Sequence, residues 1–469
     1  MRFLLAALAV LAALGARAEP IGYDGARHLL DRAGFGATDR EVREYAVLDR
    51  EQAAERLLDS ARREAVTPPP DFVHGPFVGP RQLRGLDPER RKALLRTLVR
   101  QGLELRAWWL REMLVTPSPL TERMTLFWHN HFATSQRKVK LGSLMYRQNV
   151  LLRREALGNF ATLLHEVAKD PAMLVYLDNA RSRRGAPNEN FARESMELFT
   201  LGEGHYGESD VKEAARAFTG WSIDPDSGRY RYRPFFHDGG EKTFLGRRGD
   251  LDGDQVLDIL LERPETARFI AAKLWREFVS PTPDPIEVER WAAIFRAAHY
   301  EVKPLLRAIF TSGAFWAPEN RATLVKSPVD LVVGTLRTFD IRPDDLRPAA
   351  VACAVLGQNL FAPPNVKGWP GADAWIDSAT LLGREQFLER VFRGTDAGAG
   401  ARPGRMMERA MGSYAFDERR WDRSLAEGAR ARDVDRLVLA TAAVDPIPSG
   451  LEGAARLRAL VADPSYQLK

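Results

Sequence analysis

Cysteine is almost absent from this chain of 469 residues, with Cys353 the single one. No internal disulfide can form, so stability in an oxidising compartment has to come from packing. Cys353 stands in AVACAVLG, an apolar helical stretch without a basic neighbour. A buried, inert thiol is therefore expected, not a nucleophile. Histidine is scarce as well, with eight copies. There is no CxxC pair, P-loop, dinucleotide fingerprint or GxSxG elbow, and a serine-nucleophile hydrolase has no local support. Nor is there an apolar run of the roughly 20 residues that a membrane-spanning helix needs. Charge of one sign is not in excess: 68 Lys and Arg face 63 Asp and Glu, a net of +5. That is no nucleic-acid footprint, so no nucleic-acid partner is expected.

What is present begins with MRFLLAALAVLAALGARAEP. A basic Arg2, an apolar run from Phe3 to Leu14 and Ala16-Arg17-Ala18 read as a secretory signal peptide cleaved after Ala18. No twin arginine precedes the run, which favours the general secretory route. Cleavage removes Arg2 and Arg17 and no acid, lowering the formal charge from +5 to +3. The mature chain is then expected to be periplasmic or secreted, without a transmembrane anchor.

Most of that chain has apolar residues at helical spacing. Residues 88–115 read as one long amphipathic helix, Thr38 or Asp39 as the cap of a helix near the start, and Ser209 as the cap of ESDVKEAARAFTGW. The exception is IDPDSGRYRYRPFFHDGGEKTFLG, where Arg229, Arg231 and Arg233 alternate with Tyr230 and Tyr232 after a turn-forming Asp-Ser-Gly. Period two predicts a strand, and Pro234 confines it to a short hairpin. The expected fold is all-α, mainly helical, with a small β-hairpin insertion around 223–246. The expected domains are a signal peptide at 1–18, a helical domain at 19–393, a flexible linker at 394–405 and a C-terminal helical segment at 406–469 that packs on the main domain.

Four stretches invite chemistry. In LTERMTLFWHNHFATS, Ser118 suits an N-cap and Pro119 the first helical position. At about 100° per residue from Leu120, His131 falls near 20°, amid Met124, Phe127 and Trp128, while His129 falls near 180°, beside Glu122 and Thr125. The two point apart, so they are not expected to share an ion, and His129 is expected on the surface. His131 reads either as a core histidine with one hydrogen-bond partner or as a buried acid, base or single ligand.

In GAPNENFARESMELFTLGEGHY, Asn188 can cap a helix that Gly202 ends. One face carries Glu189, Arg193 and Glu197, with Asn190 and Glu194 alongside. This is either a solvated salt-bridge ladder or a carboxylate cluster that binds a cation or works as acid and base. In FFHDGGEKTFLG, His237, Asp238, Glu241 and Lys242 crowd a glycine turn, which is either a loop-borne site or a turn tied by its own side chains. DLDGDQVLD fails the EF-hand spacing, so Asp252 or Asp254 is expected simply to cap the next helix. The candidate catalytic residues are thus His131, Glu189, Arg193, Glu194, Glu197, His237, Asp238 and Glu241. Metal and cofactor stay undetermined.

Ordered motifs then add a resemblance. RAGFGAT, LTERMTLFWHNHFATS, LMYRQN, DPAMLVYLDN, PNENFARESMELFTLGEGHY, HDGGEKTFLG, NLFAPPNVKGWPG and the closing LVADPSYQLK run through nearly all of the mature chain. In this the chain resembles the bacterial domain-of-unknown-function family 1800. The resemblance implies an exported, helical protein. It also implies a functional partner, a co-encoded secreted protein related to sulfatases and alkaline phosphatases. The chain would then be a non-catalytic partner or scaffold for that protein or for an envelope assembly; the alternative is a periplasmic hydrolase using a carboxylate cluster, with or without a metal. No catalytic residue carries over, because the family's activity is not established. Ser195 departs from the apolar residue, usually leucine, at its position in the family.

Overall fold

The structure is a computed structural model that describes residues 19–75, 77–79, 85–393, 414, 416–426 and 431–469. The expected signal peptide and the expected linker at 394–405 lie outside the described residues. The fold is mainly α-helical, with two small antiparallel two-stranded sheets. No helix among the described residues is long and apolar enough to cross a membrane.

Local signals set many element boundaries. Thr38 caps the Asp39–Ala46 helix in a capping box with Glu41. The long helix spans Pro88–Val115, capped by Asp87. Asn188 accepts from the Asn190 and Phe191 amides to start the Glu189–Glu197 helix, and Gly202 follows in the left-handed region at φ 82°. Asp252 caps the Gly253–Glu262 helix. Ser209 does not cap its helix: the Glu208–Ala217 helix starts two residues earlier than that cap would place it, after Gly207, and the Asp210 carboxylate accepts from the Gly207 amide at 2.9 Å.

The arginine–tyrosine segment forms strand β2, Tyr230–Tyr232, paired with β1, Trp221–Ile223. A second hairpin pairs β3, Lys242–Phe244, with β4, Arg247–Gly249. The non-helical insertion therefore runs slightly past both ends of the expected 223–246. The glycine turn at 239–240 lies between the two hairpins.

The Pro119–His131 helix runs through the centre of the molecule. Trp128 stacks on Phe132 and Phe160, and Phe160 meets Phe295 and Tyr300. The helix is buried on nearly every side, which corrects the surface placement of His129. Its supposed polar face packs against the long helix and the Gly142–Arg154 helix. There Glu122 accepts from Trp109 Nε1 at 2.7 Å and from Arg153 at 2.6 and 2.9 Å. His129 sits among Trp109, Phe361 and Trp369. Burial pushes its pKa down to about 3.

The C-terminal segment packs on this body. Tyr466 Oη lies 2.8 Å from Thr335 Oγ1, the Lys469 amide donates to Leu324 O at 2.8 Å, and Arg384 donates to Gln467 at 3.0 Å. Cys353 is buried, and burial raises its thiol pKa, which keeps it protonated and unreactive.

Candidate functional site

A cleft of about 360 Å³ opens beside the last turns of the central helix. The Pro119–His131 helix contributes Arg123, Phe127, Asn130 and His131. The Pro264–Phe278 helix contributes Lys273, Arg276 and Glu277, and the start of the Pro328–Thr338 helix contributes Asp330. Residues 367–372 and 375 form another wall. Side chains of five cations (Arg123, Lys273, Arg276, Lys367 and Lys469) face two carboxylates, Glu277 and Asp330.

Most of these charges are matched. Arg123, fully buried, donates to Asp330 and to the carbonyl of Gly34, and lies 3.4 Å from Glu277. Lys469 Nζ donates to the other Asp330 oxygen at 2.8 Å. Burial alone would raise the Asp330 carboxyl, but Arg123 and Lys469 override it and hold the group far below the usual carboxylate range. Asp330 also closes the capping box of its own helix with Ser327.

Lys273 is different. Its Nζ donates to His131 Nδ1 at 2.9 Å. His131 Nε2 donates to the carbonyl of Phe199 at 3.2 Å. A carbonyl only accepts, so Nε2 carries the proton and Nδ1 offers a lone pair to the lysine. Burial, then the Lys273 charge, pushes His131 well below its ordinary pKa, so the ring is neutral. Burial, then Arg276, brings Lys273 down to about 8. Neither Lys273 nor Arg276 has a carboxylate partner among the described residues.

Asn130, between the two histidines, joins the central helix to the tryptophan-rich loop. Its Oδ1 accepts from the Trp369 amide at 2.7 Å. Gly368 permits this contact: its φ is 84°, and a Cβ there would come within 2.2 Å of Asn130 Oδ1. FWHNHF and NVKGWPG, more than two hundred residues apart, thus build one wall together.

Of the eight sequence candidates, His131 alone lines the cleft. Glu197 reaches its rim: it accepts from Tyr206 Oη at 2.8 Å and lies 4.0 Å from Nζ of Lys367, which also pairs with Glu203 at 3.5 Å. Glu194 is half-buried, and burial followed by the Glu197 charge raises its carboxyl. Glu189 is exposed in the first turn. Arg193 turns away to Glu208, bonding both oxygens at 2.7 and 2.9 Å.

The glycine-turn group stands apart. His237 Nδ1 lies 3.0 Å from Thr219 O. Asp238 takes both arms of Arg216 at 2.9 and 3.1 Å, which lowers its pKa. Glu241 accepts from Arg248 at 2.7 Å. Lys242, buried, donates to Gly240 O at 3.0 Å. The turn is tied by its own side chains and by Arg216. Ser195 is buried, and its hydroxyl donates back to Phe191 O at 2.8 Å, so its polarity is satisfied within the helix. No group of three or more His, Cys, Asp or Glu among the described residues is placed to share a metal ion.

Sequence reasoning passed over Lys273, Arg276, Arg123, Asn130 and Asp330. In FIAAKLWREF, Lys273 and Arg276 look like any solvated helix face. The available signal was the length of the two shared motifs, and Asn130 stood inside one of them unremarked.

No match is found among curated proteins or among solved structures. A family model described as a protein of unknown function, DUF1800, matches residues 28–468, and the chain belongs to that family.

Proposed function

We propose that the cleft binds an anionic group, a sulfate or phosphate monoester. On this reading the chain is exported and serves as a non-catalytic partner of a secreted sulfatase- or phosphatase-like protein or of an envelope assembly. The observation that carries the reading is the pair Lys273 and Arg276, two cations in one cleft with no carboxylate partner among the described residues. Lys273 donates to the neutral His131 ring and Arg276 to the Ala272 carbonyl. A tetrahedral oxyanion would add the negative charge that neither meets among the described residues, and charge-assisted bonds of this kind are the strong ones. Arg123 and Lys469 are already neutralised by Asp330 and hold the cleft's shape.

The hydrolytic alternative rests on Glu194, whose raised carboxyl beside Glu197 has the character of a general acid near the rim. One substrate pair separates the two readings. Titration calorimetry with 4-nitrophenyl sulfate and 4-nitrophenyl phosphate reads binding, and release of nitrophenolate reads turnover. Binding without release is expected. Lys273→Met with Arg276→Met is expected to weaken binding at least about tenfold, a loss near 1.4 kcal/mol. Affinity should also fall as pH rises through about 8, where Lys273 loses its charge. Undiminished binding by the double variant, or no binding by the native chain, overturns the anion reading; turnover lost in Glu194→Gln replaces the partner role with the hydrolase. Export is checked by N-terminal sequencing of the mature protein, expected to start at Glu19.

A further inference from the structure

We propose that Lys273 forms a reversible imine with a small 2-oxo acid, its Nζ bonding the carbonyl carbon while the acid's carboxylate lies against Arg276. The inference rests on the anion reading of the cleft and adds a covalent step to it.

Three lysines line the cleft, and their surroundings differ. Lys469 is held by Asp330 at 2.8 Å, and Lys367 lies 3.5 Å from Glu203. An ion pair favours the protonated, unreactive ammonium. At Lys469 burial works against the Asp330 charge and lowers the pKa, but its Nζ stays engaged by that carboxylate. Lys273 has no such partner among the described residues. Its neighbours are the neutral His131 imidazole, the Phe269 ring 4.9 Å from Nζ, and the positive Arg276. Burial and the charge of Arg276 disfavour the ammonium form and outweigh what the ring and the imidazole give it, and a desolvated lysine beside another cation is one of the recognised ways to activate an amine. With its pKa brought down to about 8, about a tenth of the side chain is neutral at pH 7, against less than about a thousandth for an ordinary lysine.

His131 also orients the amine. Its Nε2–H is committed to Phe199 O, so Nδ1 can only accept, and it holds one N–H of Lys273. That leaves the second N–H and the lone pair of the neutral amine for the cleft, which both residues line. Arg276 is three residues on, on the same helix, and lines the same cleft. Its guanidinium supplies the fork that a carboxylate fits.

The step balances without an oxidant or reductant. The amine lone pair bonds the carbonyl carbon, and the π electrons move to the carbonyl oxygen. The two nitrogen protons pass through solvent to that oxygen. The carbon–oxygen bond breaks, water leaves, and a carbon–nitrogen double bond remains. Water reverses it.

The test incubates the full chain with glyoxylate and sodium cyanoborohydride near neutral pH and maps reduced adducts by peptide mass spectrometry. Lys273 should label at least about tenfold faster than any other lysine, because its amine is neutral far more often than an ordinary one and it lines the cleft, whereas Lys326, which burial also brings down to about 8, does not. The adduct should vanish in Lys273→Arg, with thermal melts showing that this variant folds. Should it not fold, the site ranking in the native chain decides by itself. Lysines labelling at comparable rates overturn the inference. Calorimetry with inorganic sulfate separates the two ideas: sulfate binding with no preferred adduct sinks the imine alone, whereas no sulfate binding sinks the anion reading beneath it.

Discussion

The Glu189–Glu197 helix and the cleft both set acids against bases, but in opposite surroundings. On the helix, Arg193 bridges to Glu208 at 2.7 Å in the open, where water competes for both charges. In the cleft, Arg123, Asp330 and Lys469 are buried together, and each group depends on the others to stay charged. Exposed pairs contribute little, since the coulombic gain is small and two long side chains must be ordered. Buried groups are costly to strand, because the survivor keeps its charge without its partner. A row of alternating charges in the sequence is therefore the weaker sign of a site. The stronger sign is a set of charges that the fold has taken out of water.

The largest effect expected from this contrast is at Asp330. Asp330→Ala leaves Arg123 and Lys469 buried without their shared carboxylate and removes half of a capping box. Denaturant unfolding should show a loss of about 3–5 kcal/mol. A loss below ~1 kcal/mol would mean that water reaches the cleft floor and that the two regions are alike. Next comes Gly368→Ala. The left-handed backbone and the contact with Asn130 both oppose a Cβ, for a cost of about 1–3 kcal/mol. The loop should also loosen, seen as faster hydrogen exchange at the Trp369 amide that Asn130 holds. Unchanged exchange there would show that the loop is held by other contacts. The smallest effect is expected at Glu208→Ala, which frees Arg193 on the surface. Its unfolding curve should overlay the native one, and a clear shift would show the exposed Arg193–Glu208 pair to be structural after all.

The two histidines show how far the sequence could be read. The helical wheel correctly separated His129 from His131 and placed His131 amid Phe127 and Trp128. It could not see what covers the other side. Trp109 and Arg153, from two other helices, bury Glu122 and His129 there. His131 does meet the end of the Asn188 segment, but at the Phe199 carbonyl and not at a glutamate. Its other partner, Lys273, lies 142 residues along the chain. The residues that stand out in the sequence are clusters of neighbours along the chain. The cleft is built from pairs that are distant in sequence: Asn130 with Trp369, Arg123 with Asp330, His131 with Lys273.

Periodicity, caps and turn residues are local properties. For that reason the sequence by itself determined the helical class, the hairpin, the Pro88–Val115 helix and the caps at Thr38, Asn188 and Asp252. Motif order likewise determined the family. Which charges are buried, and against what, depends on how the helices cross. Tertiary structure alone decided that Glu122 lies inside, that Asp330 serves two cations, and that Lys273 has an imidazole beside it and, among the described residues, no acid. Side-chain charge is set by the residue type, but desolvation is set by neighbours that the chain brings together only when it folds.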